Sequence, residues 1–132
     1  MPSDARHRGD EAEAAVAALL EEAGWPILGR NVRIGRDELD IVAVDPGPPP
    51  TMVFVEVRWR ARRDFGLPEE TFDHRKRQRI RRAIAGLREI GRLPDGTALP
   101  ALPVRVDLVV VEPPAHRGDP SRIRHHRAAL GR

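Results

Sequence analysis

Two short acidic segments carry the residue types that could bind a metal ion. Glu38 and Asp40 lie two positions apart in one apolar run, and Glu56 precedes Arg58 by two positions in the next. In a β-strand, residues i and i+2 point to the same face, so each of these pairs shares a face. Residues 45–51, which are rich in Pro and Gly, separate the two runs. They predict a hairpin loop that joins two adjacent antiparallel strands.

The register of that hairpin decides whether the carboxylates meet. A symmetric register about Pro48 places Asp40 directly opposite Glu56, with Cβ atoms about 4.5–5.5 Å apart. Two carboxylates this close repel each other unless a cation lies between them or one of them takes up a proton. They could instead be ordinary strand-end acids, with Arg58 as an ion-pair partner. Because acids inside apolar strands are costly unless compensated, we favour a site for a hard divalent cation such as Mg²⁺.

Length and composition limit the classes of protein. A chain of 132 residues is expected to form one domain with a substantial core. It has no cysteine, which excludes disulfides and thiolate metal sites. Neither a signal peptide nor an apolar run of membrane-spanning length is recognisable, so we expect a cytoplasmic protein.

The positive charge is concentrated on one predicted helix. Arg75, Arg79 and Arg82 recur at i, i+4 and i+7, and acidic neighbours lie only near the helix ends. We expect these cations to be unpaired and to contact phosphates without reading bases, although a solvated helix face is the alternative. The positions expected to bind nucleic acid are Arg60, Arg62, Arg63, Arg75, Lys76, Arg79 and Arg82.

The order of predicted elements is α-β-β-β-α-β. The helices are predicted over about 9–23 and 69–90, and the strands over about 27–34, 38–44, 52–59 and 104–111. The expected buried faces are Ala14, Ala15, Ala18, Leu19 and Ala23 on the first helix, and Ile80, Ala83, Ile84, Leu87 and Ile90 on the second. Pro113-Pro114 is expected to end the ordered domain, which leaves residues 1–112 as one unit and 113–132 as a basic, flexible tail.

Several stretches in this order resemble a known family. They are RGDEAE at 8–13, RNVR at 30–33, ELDIVA at 38–43, VFVEVR at 53–58, FG at 65–66 and RVDLV at 105–109. Together they resemble the YraN-like family of the PD-(D/E)XK nuclease superfamily, which is similar to archaeal Holliday-junction resolvases. The resemblance implies a restriction-endonuclease-like α/β core, with a mixed central sheet flanked by helices.

The resemblance also implies roles for individual residues. Asp40 and Glu56 match the acids of the superfamily signature, and Arg58 stands where the superfamily usually has lysine. Glu13 matches the helix glutamate of resolvase-like members, while Glu38 belongs to the Glu-x-Asp segment. The implied catalytic set is therefore Asp40, Glu56, Arg58 and Glu13, and the implied ligands of Mg²⁺ or Mn²⁺ are Asp40, Glu56, Glu38 and Glu13.

The implied activity is that of a metal-dependent endonuclease that binds DNA and hydrolyses phosphodiester bonds. Branched DNA is one candidate substrate, and a homodimer is the assembly that resolvases usually form. Because arginine stays protonated and cannot act as a base, Arg58 keeps a second reading open. In that reading, the chain is a non-catalytic nucleic-acid-binding domain that retains the nuclease fold. A protein-interaction module with structural acids is a third alternative.

Overall fold

The computed structural model describes residues 4–60 and 74–130. Within them, the predicted elements are present in the predicted order, and one strand follows that was not predicted. The elements are α1 Asp4–Glu22, β1 Ile27–Ile34, β2 Asp37–Asp45, β3 Thr51–Trp59, α2 His74–Ile90, β4 Val104–Glu112 and β5 Arg122–His126. The first helix begins five residues earlier than predicted, and the predicted helical residues 69–73 lie outside the described ranges.

The strands form one mixed sheet in the order β1-β2-β3-β4-β5. Strands β3 and β4 are parallel, and each of the other neighbouring pairs is antiparallel. A parallel pair needs a long crossover, and α2 lies in the connection between these two strands. The predicted mixed sheet flanked by helices is confirmed, and it is compatible with a restriction-endonuclease-like core.

Each face of the sheet carries its own hydrophobic cluster. The α2 side is formed by residues such as Val42, Phe54 and Leu108 together with the buried face of the helix. The buried residues of α2 are Ile80, Ala83, Ile84 and Leu87, as predicted. Ile90, the fifth predicted member, is instead 65% exposed because it is the last residue of the helix.

The buried face of α1 differs from the prediction. Ala12, Val16, Ala17 and Leu20 are buried on the other side of the sheet. All five positions of the predicted stripe are exposed, and Leu19 is 44% exposed. Both stripes have helical spacing, but the observed one buries Val16 and Leu20, which offer more apolar surface than alanine.

The hairpin of β2 and β3 has the predicted register. Five pairs, from Asp45↔Thr51 to Ile41↔Val55, are symmetric about residue 48. The ladder ends there, although β2 extends back to Asp37 and β3 extends on to Trp59. Beyond that point, β2 continues to pair with β1 and β3 continues to pair with β4. The sheet therefore forks between its second and third strands.

The C-terminal segment contains a strand that the sequence did not predict. Residues 122–126 form β5, which pairs antiparallel with β4 from Leu108↔His126 to Glu112↔Arg122. Ordered structure therefore continues past Pro113-Pro114, while a domain boundary at residue 112 stays a prediction. Neither described helix is both long and apolar enough to cross a membrane.

Candidate metal and nucleic-acid site

Asp40 lies at the fork of the sheet. Leu39 belongs to the α2-side cluster and Ile41 to the α1-side cluster, so the normal alternation of faces is broken at the residue between them. The backbone N–H of Val57 donates to Asp40 Oδ2 at 2.8 Å. A side chain of β2 thus bonds β3 just beyond the last backbone pair.

The second carboxylate of the site changes the ionisation of Asp40. The pKa of Asp40 is raised to about 8, chiefly by burial and next by the negative charge of Glu56. A hydrogen bond to Glu56 and the charge of Glu13 add to the rise, while the bond from Val57 opposes it. The raised pKa of Asp40 is the response that repulsion between two close carboxylates produces.

Glu56 is buried, and two basic side chains lie near one of its carboxylate oxygens. Its exposed fraction is 6%, and Lys76 Nζ lies 2.9 Å from Glu56 Oε1. Arg58 Nε is farther from the same oxygen, at 3.8 Å. The strongest counter-ion therefore comes from α2, whereas the sequence pointed to Arg58 on β3.

Glu13 and Glu38 flank the pair from different elements. Glu13 on α1 is buried, and Arg30 Nε lies 3.5 Å from its Oε1, which accepts no hydrogen bond from the described residues. Burial raises the pKa of Glu13, and the charge of Glu38 contributes to the rise. Glu38 itself is 43% exposed and lies 3.9 Å from Arg33. Glu13 therefore acts on Asp40 through its charge, while Glu38 acts on Glu13.

An open cleft of about 770 Å³ lies between the start of β2 and α2. Its lining combines acidic and basic side chains with one apolar residue. The lining residues are Arg36, Asp37, Glu38, Asp40, Lys76, Arg79, Ile80 and Arg82. Such a cleft can accept a phosphate beside the carboxylates.

Two cations of α2 are paired, contrary to expectation. Arg82 donates to both carboxylate oxygens of Asp37, from Nε at 3.0 Å and from Nη2 at 2.9 Å. This bidentate bond lowers the pKa of Asp37 and raises that of Arg82. Lys76 is also paired, through Glu56. Helix periodicity could not show these bonds, because the acids that pair with Arg82 and Lys76 lie on strands of the sheet.

The remaining predicted basic residues are distributed unevenly. Arg75 and Arg79 are exposed on α2, and Arg79 lines the cleft. Arg60 follows β3, and its backbone N–H donates to the Val111 carbonyl at 3.0 Å. Arg62 and Arg63 lie outside the described residues. The structure thus gathers Lys76, Arg79 and Arg82 at the cleft.

The side chains that could act as ligands determine which metal ion could bind here. Among the described residues, no three acidic or histidine side chains come together as a metal-binding group. Mg²⁺ needs no such cage, since one or two carboxylates with water and substrate phosphate are its usual ligands. The adjacent carboxylates of Asp40 and Glu56 fit that kind of site, and the buried Oε1 of Glu13 is a nearby acceptor whose ion-pair partner, Arg30 Nε, lies 3.5 Å away.

A second polar cluster, on the α1 side of the sheet, was not predicted. Asp107 is fully buried and accepts bonds from Arg105, from the Ala128 N–H and, at 2.8 Å, from His125 Nε2. Burial pushes the pKa of Asp107 up, but these bonds hold it below its usual value. Trp25 lies edge-on to the His125 ring at 5.7 Å. The cluster fastens β5 to the sheet, and an aspartate within the apolar strand β4 was the one signal of it in the sequence.

Comparison with known proteins places the sequence in a bacterial group. The model of a family described as "Uncharacterised protein family UPF0102" matches residues 12–111. A UPF0102 protein of Moorella thermoacetica is 47% identical over 85 residues, which cover 64% of this chain and 68% of that protein. A second UPF0102 protein, from Xanthomonas axonopodis pv. citri, is 40% identical over 116 residues, which cover 86% of this chain and 88% of that protein.

Proposed function

The chain belongs to the UPF0102 family, and from that premise we propose that it is a metal-dependent endonuclease of the PD-(D/E)XK type that acts on DNA. The observation that carries the proposal is the pair formed by Asp40 and Glu56 at the fork of the sheet. A buried Glu56 beside an Asp40 that lines a basic cleft supports the proposal, because the two carboxylates suit a divalent cation and the cleft suits a phosphodiester.

Each side chain of the site has a role in this proposal. Asp40 and Glu56 would hold Mg²⁺ or Mn²⁺, which supplies an acidified water and neutralises charge on the phosphate. Arg79 on the rim of the cleft binds the phosphate next to the scissile bond. Arg58, at 3.8 Å from Glu56, helps to orient that carboxylate. Glu13 adds negative charge beside Asp40, and Glu38 lines the cleft with Asp40, but neither forms a three-residue metal-binding group with the pair among the described residues.

The reaction is hydrolysis of a phosphodiester. The oxygen of water bonds to phosphorus, the bond from phosphorus to the leaving sugar oxygen breaks, and that oxygen takes up a proton. The positive side chains of α2 lie where the phosphate backbone would enter, and we propose that they bind it without reading sequence. A homodimer would let two such sites act on both strands of a branched substrate.

The experiment is an incubation with linear, flapped and four-way-junction DNAs in Mg²⁺, Mn²⁺ or EDTA. Metal-dependent cleavage that Asp40→Asn removes is the expected result. Matched RNA substrates test the choice of nucleic acid, and size-exclusion chromatography tests the dimer. Cleavage that continues in EDTA, or that the variant retains, would contradict the assignment of the site.

A non-catalytic nucleic-acid-binding domain is the second candidate. Glu56 already has a close cationic partner in Lys76, and Arg58 occupies the place where the superfamily usually has lysine. In this reading, the carboxylates stabilise the fork and the basic cleft binds phosphate. DNA binding by wild type, with no cleavage in either metal and none after Arg58→Lys, would favour it.

A further inference from the structure

The closest cation of Glu56 comes from the helix that lines the cleft. Lys76 Nζ lies 2.9 Å from Glu56 Oε1, and the exposed fractions of the two side chains are 29% and 6%. At this distance the contact is a charge-assisted hydrogen bond. A buried carboxylate needs such a partner, since an uncompensated charge away from water is costly. Lys76 thus satisfies Glu56 in this structure.

A divalent cation bound between Asp40 and Glu56 would change this balance. The divalent cation and the Lys76 ammonium group are both positive, so they would compete for the Glu56 carboxylate. Lysine carries a compact charge on a flexible stem, so it can turn away without a change in the helix. Arg58 Nε is farther away, at 3.8 Å, and is the weaker competitor.

We propose that Lys76 is an exchangeable counter-ion, which neutralises Glu56 without metal and is released into the cleft when metal binds. The inference rests on the proposed metal site. Lys76 lines the cleft beside Arg79, so its released ammonium stays in the space that a phosphate would enter. Arg82 is not equivalent, because both carboxylate oxygens of Asp37 hold it. Lys76 would then bind the scissile phosphate only after the ion has bound.

The test measures metal affinity in place of cleavage. Calorimetry with MnCl₂ on the full chain compares wild type with Lys76→Met, which keeps the apolar stem and removes the charge. Removal of the competitor should lower the Kd for Mn²⁺ about tenfold, the equivalent of one charge-assisted hydrogen bond. Arg79→Gln, which removes the same charge one turn along the same cleft, should shift the Kd by no more than about twofold. Lys76→Arg should bind Mn²⁺ no more tightly than wild type.

Each outcome separates this inference from the proposed function. Metal binding by wild type with an unchanged or weaker affinity in Lys76→Met overturns the exchange but leaves the metal site standing. Equal tightening in Lys76→Met and Arg79→Gln overturns it too, because general electrostatics would then explain the effect. Binding by neither wild type nor Lys76→Met overturns the metal site and the exchange together. Binding that appears only in Lys76→Met supports the exchange. Thermal melts check that each variant is folded, and Lys76→Gln replaces Lys76→Met if the latter fails to fold.

Discussion

At the scale of single residues, the two facing carboxylates differ in how their charge is compensated. Glu56 has Lys76 at 2.9 Å and Arg58 at 3.8 Å. Asp40 instead bonds a backbone N–H, at 2.8 Å, and its pKa is raised by burial and by the charge of Glu56. The two acids should therefore respond differently to substitution and to pH.

Glu56→Gln should separate cleavage from binding. It removes one charge with little change in volume, so metal-dependent cleavage should fall by at least about 100-fold, as expected when one group that stabilises developing charge is lost. DNA binding should persist or tighten, because a negative charge near the phosphates is gone. Single-turnover cleavage and fluorescence anisotropy measure the two effects, with the exposed Glu21→Gln as control. Wild-type cleavage by Glu56→Gln would contradict the assignment.

Asp40→Asn should change how stability depends on pH. The folded pKa of Asp40, about 8, lies above the ordinary aspartate value of 3.8, so the proton on Asp40 stabilises the folded state fully at low pH. This contribution is lost as pH rises from about 4 towards 8. Without metal, the free energy of unfolding should fall by at most about 1.4 kcal/mol per pH unit. Urea unfolding in EDTA across that range should show wild type becoming steadily less stable relative to Asp40→Asn as pH rises. A constant difference would mean that Asp40 is ionised throughout.

At the scale of secondary-structure elements, the sequence predicted what local patterns determine. The register of β2 and β3 follows from a central Pro48 and apolar strands on both sides, and the α2 core face follows from helical spacing. The face of α1 was predicted wrongly because two stripes share the same period. The bond from Lys76 depends on how α2 packs across the fork, which no local pattern contains.

Strand β5 was missed for a related reason. Its residues are mostly Arg and His, which lack the apolar alternation of a strand. Its order comes instead from tertiary bonds, such as those from His125 to Asp107 and from Arg124 to Glu112, the second of these at 2.6 Å. A polar strand held by buried acids cannot be recognised from its own sequence.

Truncation after Glu112 tests the role of β5. It removes His125 and the Ala128 N–H, and so leaves the buried Asp107 with fewer partners. We expect a loss of at least about 3 kcal/mol in the free energy of unfolding, the usual cost of breaking a buried charge pair. Denaturant unfolding measures it, with truncation after Leu130 as the matched control. Equal stability of the two truncated chains would restore the flexible-tail prediction.

At the scale of the whole molecule, a net charge of +3 is too small to identify a nucleic-acid-binding protein. The distribution of charge is more informative, because Lys76, Arg79 and Arg82 all line one cleft beside acidic groups. Ion pairs within the protein reduce the number of basic side chains that are available to bind phosphate. The bidentate bond of Arg82 to Asp37 removes one member of the predicted basic row.

The salt dependence of DNA binding should distinguish the basic side chains that contact phosphate from those that are paired within the protein. Replacing Arg75 and Arg79 with Gln should reduce the slope of log K against log salt by roughly 0.9 for each lost phosphate contact. Arg82→Gln should reduce the slope much less, because Asp37 already holds that guanidinium. Fluorescence titrations between low and moderate salt measure the slopes. Equal reductions from Arg79→Gln and Arg82→Gln would show that Asp37 releases Arg82 to DNA.

The bond from the Val57 N–H to Asp40 also turns an ordinary strand amide into a spectroscopic probe. An amide proton that donates to a carboxylate resonates at a frequency set by the charge on that carboxylate, whereas its neighbours in the ladder donate to carbonyls. In an isotope-labelled sample, the Val57 cross-peak should therefore move when Asp40 loses its proton or gains an ion, while peaks from the paired part of the hairpin stay in place. One resonance would then follow the occupancy of the carboxylate pair by titration, with no substrate and no turnover.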